Sequence, residues 1–292
     1  MDFILDNPRI LHFVETVGYL MAAFLIFYLG KLIYQLFNPS ISVKDELVEK
    51  DNFAFSLSHT GYLVGLIIVL GSAIVGSSYG FWIDLMDLGI YGLLGILLLN
   101  LSTVINDRFI LRKFSVRKEI IEDRNAGTGA IEAANSVASG LIIFGAISGE
   151  SGNVAFGLLT SVVFWAVGQV AMMLLAWVYD KITNYDLHDQ IEKDNVAAGI
   201  AFGGAMIALA NLIRFGLAGD FFSWGESFYE VGTEVLLGIV FLPVVRWLAD
   251  KILLPGQSLS DEIARQDKPN VGAALIEAFA YIGGSVLITW VL

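Results

Sequence analysis

Three ionisable residues are placed to do chemistry in this chain: Glu132, Glu277 and His59, each seven positions after an asparagine that precedes an apolar run. The fourth equivalent position is Phe202. At about 1.5 Å per residue they lie roughly 10 Å along their helices, inside hydrocarbon if the runs span a membrane. Ionisable groups cost about 2.5 kcal/mol or more at a bilayer centre, so they are candidates for a proton or cation site by default. Asn135 follows Glu132 by three residues on the same helix face and is expected to donate a hydrogen bond to it. A second charged group is expected toward the opposite surface, with Glu15 and Glu234 at nearly matching depths and Arg214 as the partner of Glu234 or Glu230. Headgroup-level charge with local pairing is the structural alternative for that group.

Composition says what must carry these residues. Hydrophobic residues fill 56% of 292 positions and mean hydropathy is +0.71, more than a soluble domain carries without large exposed apolar patches. Zero cysteines exclude a disulfide framework, thiolate metal ligands and a cysteine nucleophile. No phosphate-binding loop, zinc spacing, nucleophile elbow or potassium-filter signature is present. His12, His59 and His188 are scattered in topology. An enzyme is therefore the least favoured class, and no cofactor, metal or nucleic acid is expected. The segment Met1 to Arg9 is acidic and precedes no small-residue cleavage site, so no removable signal peptide is expected.

Eight runs are long enough to cross about 30 Å of hydrocarbon. They are Ile10–Phe37, Phe53–Val75, Leu85–Ile105, Gly127–Ile147, Val154–Val178, Val196–Leu217, Val231–Leu248 and Val271–Leu292. The expected fold is an all-α polytopic membrane protein in a lipid bilayer. Of the 17 basic residues, all but Arg9 and Arg214 lie in or beside the four long linkers, 38–52, 107–125, 180–195 and 249–270. The loops Ser77–Asp84, Gly149–Asn153 and Gly219–Tyr229 contain none. The positive-inside rule then puts the linkers in the cytoplasm and both termini outside. It also leaves Asp84, Asp87, Glu150, Asp220, Glu226 and Glu230 on the outer rim, where they attract cations or simply keep the rim hydrated.

The linkers share a phrase. Ser42-Val43-Lys44-Asp45-Glu46-Leu47 aligns with Ser115–Ile120, Asp186–Ile191 and Ser258–Ile263, and each is followed by an asparagine: Asn52, Asn125, Asn195 and Asn270. The asparagines are 73, 70 and 75 residues apart, so the unit is a two-helix hairpin used four times. Units one and three share Glu-Lys-Asp-Asn (Glu49–Asn52, Glu192–Asn195), and units two and four share Ile-Glu-Ala (Ile131–Ala133, Ile276–Ala278). The chain thus reads as two four-helix halves, 1–149 and 150–292. A pseudo-twofold along the membrane normal is expected between them. A Ser or Asp three residues ahead of an acid, and an Asn before an apolar run, are helix-start signals. Each linker is therefore expected to hold a short interfacial helix and a capped re-entry. Lys31, Arg108, Lys181 and Lys251 sit at the inner ends of the odd spans, where snorkelling and the helix dipole account for them. Glycines spaced for close helix packing include Gly61 and Gly65, Gly199 and Gly203, and the pair Gly283 and Gly284.

The linker phrase, Asp/Glu-Ile-x-x-x-Asp-Asn before a glycine-rich helix, resembles the bacterial inner-membrane family known as domain of unknown function 350, in two tandem copies, Ile10–Gly149 and Gly152–Leu292. The resemblance implies a small inner-membrane protein, often encoded near stress-response, polyamine-ligase-like or potassium-channel-like genes, and supplies no reaction. Two functions compete. One is transport of protons or small cations, polyamines included, through Glu132 and Glu277, in which case glutamine at both abolishes activity. The other is a non-transporting scaffold, a homo-oligomer or the partner of an envelope-stress or peptide-ligase protein docking on the four linkers, in which case reversing Arg112, Lys113 and Arg117 matters instead.

Overall fold

The structure is a computed structural model and describes residues 8–150, 152–253 and 256–292. The segment before Pro8, to which the expectation about a signal peptide applies, lies outside the described residues, as do Leu254 and Pro255 in the fourth linker. All the described regular elements are helical. They are α1 (Pro8–Phe37), α2 (Phe53–Ile74), α3 (Phe81–Ile105), α4 (Val116–Ile121), α5 (Ala126–Ile147), α6 (Val154–Ile182), α7 (Leu187–Glu192), α8 (Val196–Leu217), α9 (Trp224–Leu248), α10 (Leu259–Ala264) and α11 (Val271–Val291). Among the described residues, eight helices are long and apolar enough to cross a membrane. They match the eight runs. Two begin earlier than hydropathy alone suggests, α3 at Phe81 and α9 at Trp224, because Asp84 and Glu226 occupy first turns, where an acid complements the helix dipole.

The interfacial helices are α4, α7 and α10; the first linker instead carries a π-helical turn, Asp45–Glu49. Every expected asparagine cap is made: Oδ1 of Asn52, Asn125, Asn195 and Asn270 accepts from the backbone N–H of Phe55, Thr128, Ala198 and Ala273 at 3.1, 2.8, 3.0 and 3.1 Å. Asp51, Arg124 and Asp194, each just before a cap, take φ of 47, 54 and 57°. That left-handed residue turns the asparagine N–H back onto the interfacial segment, where it donates to the carbonyls of Glu46, Glu119 and Gln190. In unit four Pro269 stands at this place, and Asn270 N–H reaches the Glu262 carbonyl across a longer loop.

The even spans α2, α5, α8 and α11 pack side by side in that order, with α8 the most enclosed. Their backbones meet without intervening side chains: a Cβ at Gly129 would collide with the backbone of Ala54, one at Gly61 with Ala133, and one at Gly199 with Gly127. Close approach through small residues is how helices associate where lipid supplies no hydrophobic force between them. The odd spans flank the row, and α3, α6 and α9 each rest on the even span of the preceding unit as well as their own. Large apolar side chains such as Phe24, Leu36, Trp177 and Trp290 stay exposed on the outside, as a bilayer requires.

The expected pseudo-twofold is not what relates the halves. A twofold would turn the α5–α8 contact into an α11–α2 contact, and α11 makes no comparable contact with α2. The seam is heterologous instead. Gly127 and Ala134, two and nine positions after the α5 cap, meet Gly199 and Gly203, four and eight after the α8 cap. The same offsets recur at the α2–α5 seam, so the units follow one another by a repeated step, as in a solenoid.

Candidate functional site: two unlike carboxyl sites

The cap asparagines also stitch one unit to the next. Nδ2 of Asn52, Asn125 and Asn195 donates to the side chain of Glu46, Glu119 or Gln190 in its own linker. The second amide proton goes to a carbonyl of the following linker: Ile120 at 2.9 Å, Ile191 at 2.7 Å and Ile263 at 2.7 Å. This grid ties each linker to the next.

In the first half, α3 runs into a π-helical turn over Asn106–Ile110. Such a turn changes the facing of the residues it carries. Asn106 Nδ2 donates to Glu132 Oε1, and the exposed Asp107 carboxyl lies beside that of Glu132. Two carboxyls this close favour sharing one proton over carrying two charges. Neither acid is in an ion pair among the described residues. The pair borders a cavity of about 70 Å³ under the second linker, lined also by Tyr34, Tyr62, Thr103 and Arg117. His59 stands behind its aromatic wall, its ring 4.9 Å from that of Tyr34 and 5.4 Å from that of Phe55. Its Nδ1 is buried without a partner.

The hydrogen bond expected from Asn135 to Glu132 is not made. Helical side chains lean toward the helix N-terminus, so the Glu132 carboxyl points down toward the linker and leaves Asn135 Nδ2 buried and unpartnered. Asn106 and Asp107 were missed at the sequence level because they sit among linker charges; the legible signal was their place within one turn of the apolar run.

In the second half the equivalent glutamate is neutralised from within. Arg246 Nη1 binds Glu277 Oε1, which also accepts from Tyr281 at 3.0 Å and Tyr179 at 3.3 Å. Arg246 Nη2 continues to Ser260 at 3.0 Å, and its guanidinium lies 6.0 Å from the Tyr179 ring centroid. Burial, with the nearby Glu277 carboxylate, pushes Tyr185 on the adjoining linker up to about 12. Phe202 fills the third equivalent position and packs on Tyr179. By sequence Arg246 groups with the bases beside the fourth linker, although it lies in the last turn of α9, inside the span. Since α8 stands between α5 and α11, Glu132 and Glu277 line no common cavity among those of the described residues.

The outer group does not assemble. Arg214 bonds Asn211 Oδ1 and lies over the Phe144 ring, while Glu234 packs on Gly216 with Oε2 buried and unpartnered. Glu15 lines a separate outer recess with His12, Tyr19, Asp84 and Asp87. The rim opposite the linkers is instead sewn loop to loop, Tyr79 to Glu150 and Glu150 N–H to Asp220 at 2.8 Å. On the linker face Asp180, Asp186 and His188 approach one another, but Lys113 already binds Asp186 at 2.6 Å and His188 Nε2 meets the Ile110 carbonyl at 2.8 Å.

The family model described as Domain of Unknown Function (DUF350) matches this chain twice, over residues 9–147 and 153–292. The chain belongs to the DUF350 family. The two matches fall on units one and two and on units three and four, so one DUF350 copy is one pair of hairpins. A UPF0719 transmembrane protein of Aquifex aeolicus (strain VF5) is 22% identical over 276 residues, covering 92% of this chain and 97% of its own. No solved structure matches the chain. It is thus a multi-pass membrane protein of an uncharacterised family.

Proposed function

We propose that this DUF350 protein binds and transfers a proton or a small inorganic cation at the Asp107–Glu132 pair of its first copy. Supporting this is one observation: the buried Glu132 carboxyl, with the exposed Asp107 carboxyl beside it and no ion pair to either among the described residues, borders a cavity that opens among linker residues. A volume of about 70 Å³ suits about two waters, at roughly 30 Å³ each. It favours a proton or a small ion over a polyamine. In this account the second copy is the structural half, its Glu277 held by Arg246. The positive-inside distribution supports a plasma-membrane location with cytoplasmic linkers and outward termini, so the site loads from the cytoplasm. Flux of protons and potassium in proteoliposomes is the test. Loss in Glu132→Gln and in Asp107→Asn, with folding retained, agrees with the proposal; undiminished flux in both variants contradicts it.

A second reading is a docking platform. It draws on the close packing of the even spans, whose backbones meet without intervening side chains. Binding of a cytoplasmic partner that is lost on reversing Arg112 and Arg117, without any cation flux, would favour it.

A further inference from the structure

Among the described residues the row of units is open at both ends, and the ends are complementary in kind. Three internal seams share one device: an odd span sets a glycine against the residue 17 positions past the preceding unit's cap. Gly95 meets Val69, Gly168 meets Ile142, and Gly238 meets Leu212 beside Leu209. The residue at this place in α11 is Leu287, which is 61% exposed. It lines an apolar groove of about 630 Å³ between α9 and α11 with Phe241, Val245 and Trp290. At the other end, α1 has no preceding even span to rest on, and Phe13, Met21, Phe24 and Leu25 are exposed along it.

The even row is open in the same sense. Ser56 and Thr60, four and eight positions after the α2 cap, are small like Gly129 and Ala133, Gly199 and Gly203, and Ala274 and Ala278, yet Thr60 is exposed. Asn270 Nδ2 bonds only Glu262 among the described residues, and no asparagine reaches the Leu47 carbonyl, the first-unit equivalent of the Ile120, Ile191 and Ile263 acceptors.

We propose that a second copy of this chain continues the row head to tail, its α1 in the α9–α11 groove and the Ser56–Thr60 face of its α2 against α11. Each unit is two spans, so the fourth unit and the first have the same orientation in the membrane, and no inversion is needed. Phe279 stands where the internal seams carry Gly61, Ala134 and Gly204, so docking turns its ring off the seam and into the adjoining groove. A heterologous contact of this sort closes into a ring or grows as a filament.

The absence of native cysteine makes the test clean. Leu287→Cys in one tagged copy and Met21→Cys, Leu25→Cys or Thr60→Cys in another are co-expressed and oxidised in membranes. Head-to-tail packing predicts cross-links in at least one mixed pair and none for Leu287→Cys alone. Self-cross-linking of Leu287→Cys or of Thr60→Cys would mean a symmetric face-to-face contact and overturn the proposal. So would no cross-link in any pair with only monomers by native mass spectrometry of the wild type in nanodiscs.

Discussion

Thr103 holds on α3 the place that Arg246 holds on α9, each four residues ahead of the aspartate, Asp107 or Asp250, that follows the apolar span. The π-helical turns Asn106–Ile110 and Ala249–Leu253 begin at matching positions and fix this register. Arg246 reaches Glu277, whereas Thr103 lines the cavity beside Glu132 and brings no charge. The Thr103/Arg246 difference in the repeat thus separates a glutamate in no ion pair among the described residues from one closed in an ion pair.

Removing one member of the closed pair leaves a buried charge uncompensated, which costs about 3–5 kcal/mol. Glu277→Gln is expected to lower the melting temperature in detergent markedly. The double variant Arg246→Leu/Glu277→Leu removes both charges and is expected to recover most of the loss. A double variant as unstable as the single would mean that the tyrosine network, not the ion pair, sets the stability.

The cap asparagines are not equal. Asn125→Ala removes a cap and strips donors from Glu119 and the Ile191 carbonyl, an expected loss of about 2–4 kcal/mol. Asn270→Ala removes a cap that bonds no further linker among the described residues, and is expected to cost about 1 kcal/mol. Chemical denaturation of the two variants side by side checks the order.

Much of the fold was legible because membrane spanning imposes length and apolarity, and because four repeats of one linker phrase fix four equivalent helix starts. The asparagine caps followed from residue type alone. What was not legible was the way units associate. The offsets that distinguish a heterologous seam from a twofold are differences of one or two positions, such as Gly61 against Ala133, visible only once the helices are placed. The site was half legible: Glu132 and Glu277 stood out by depth, but their unlike partners, Asp107 and Arg246, sit at span ends where charge is unremarkable.

Seam glycines differ from lipid-facing ones. Gly61→Leu and Gly199→Leu drive a side chain into the backbone of the adjoining span and are expected to abolish folded protein in detergent. Gly89→Ala meets nothing within 4 Å and is expected to be neutral or slightly stabilising, since alanine favours the helix by up to about 1 kcal/mol. Size-exclusion profiles and yields distinguish the two classes.

The Lys113–Asp186 bridge joins the second and third linkers, and the Lys113 ammonium holds the Asp186 carboxyl below the usual carboxylate range. A value lower in the folded state means the contribution is present above the unfolded value, about 3.9, and is lost as pH falls through the folded one. The melting-temperature deficit of Lys113→Ala is therefore expected near pH 7 and is expected to vanish in acid below that window. A deficit unchanged across the window would assign Lys113 a packing role.

The most direct test of the central claim is labelling by dicyclohexylcarbodiimide, which attacks a protonated carboxyl in apolar surroundings, followed by peptide mapping by mass spectrometry. An exchangeable pair in the first copy predicts an adduct on Glu132 or Asp107, abolished by Thr103→Arg, with Glu277 unmodified. An adduct on Glu277 with none on Glu132 or Asp107 would contradict the assignment of the exchangeable site to the first copy.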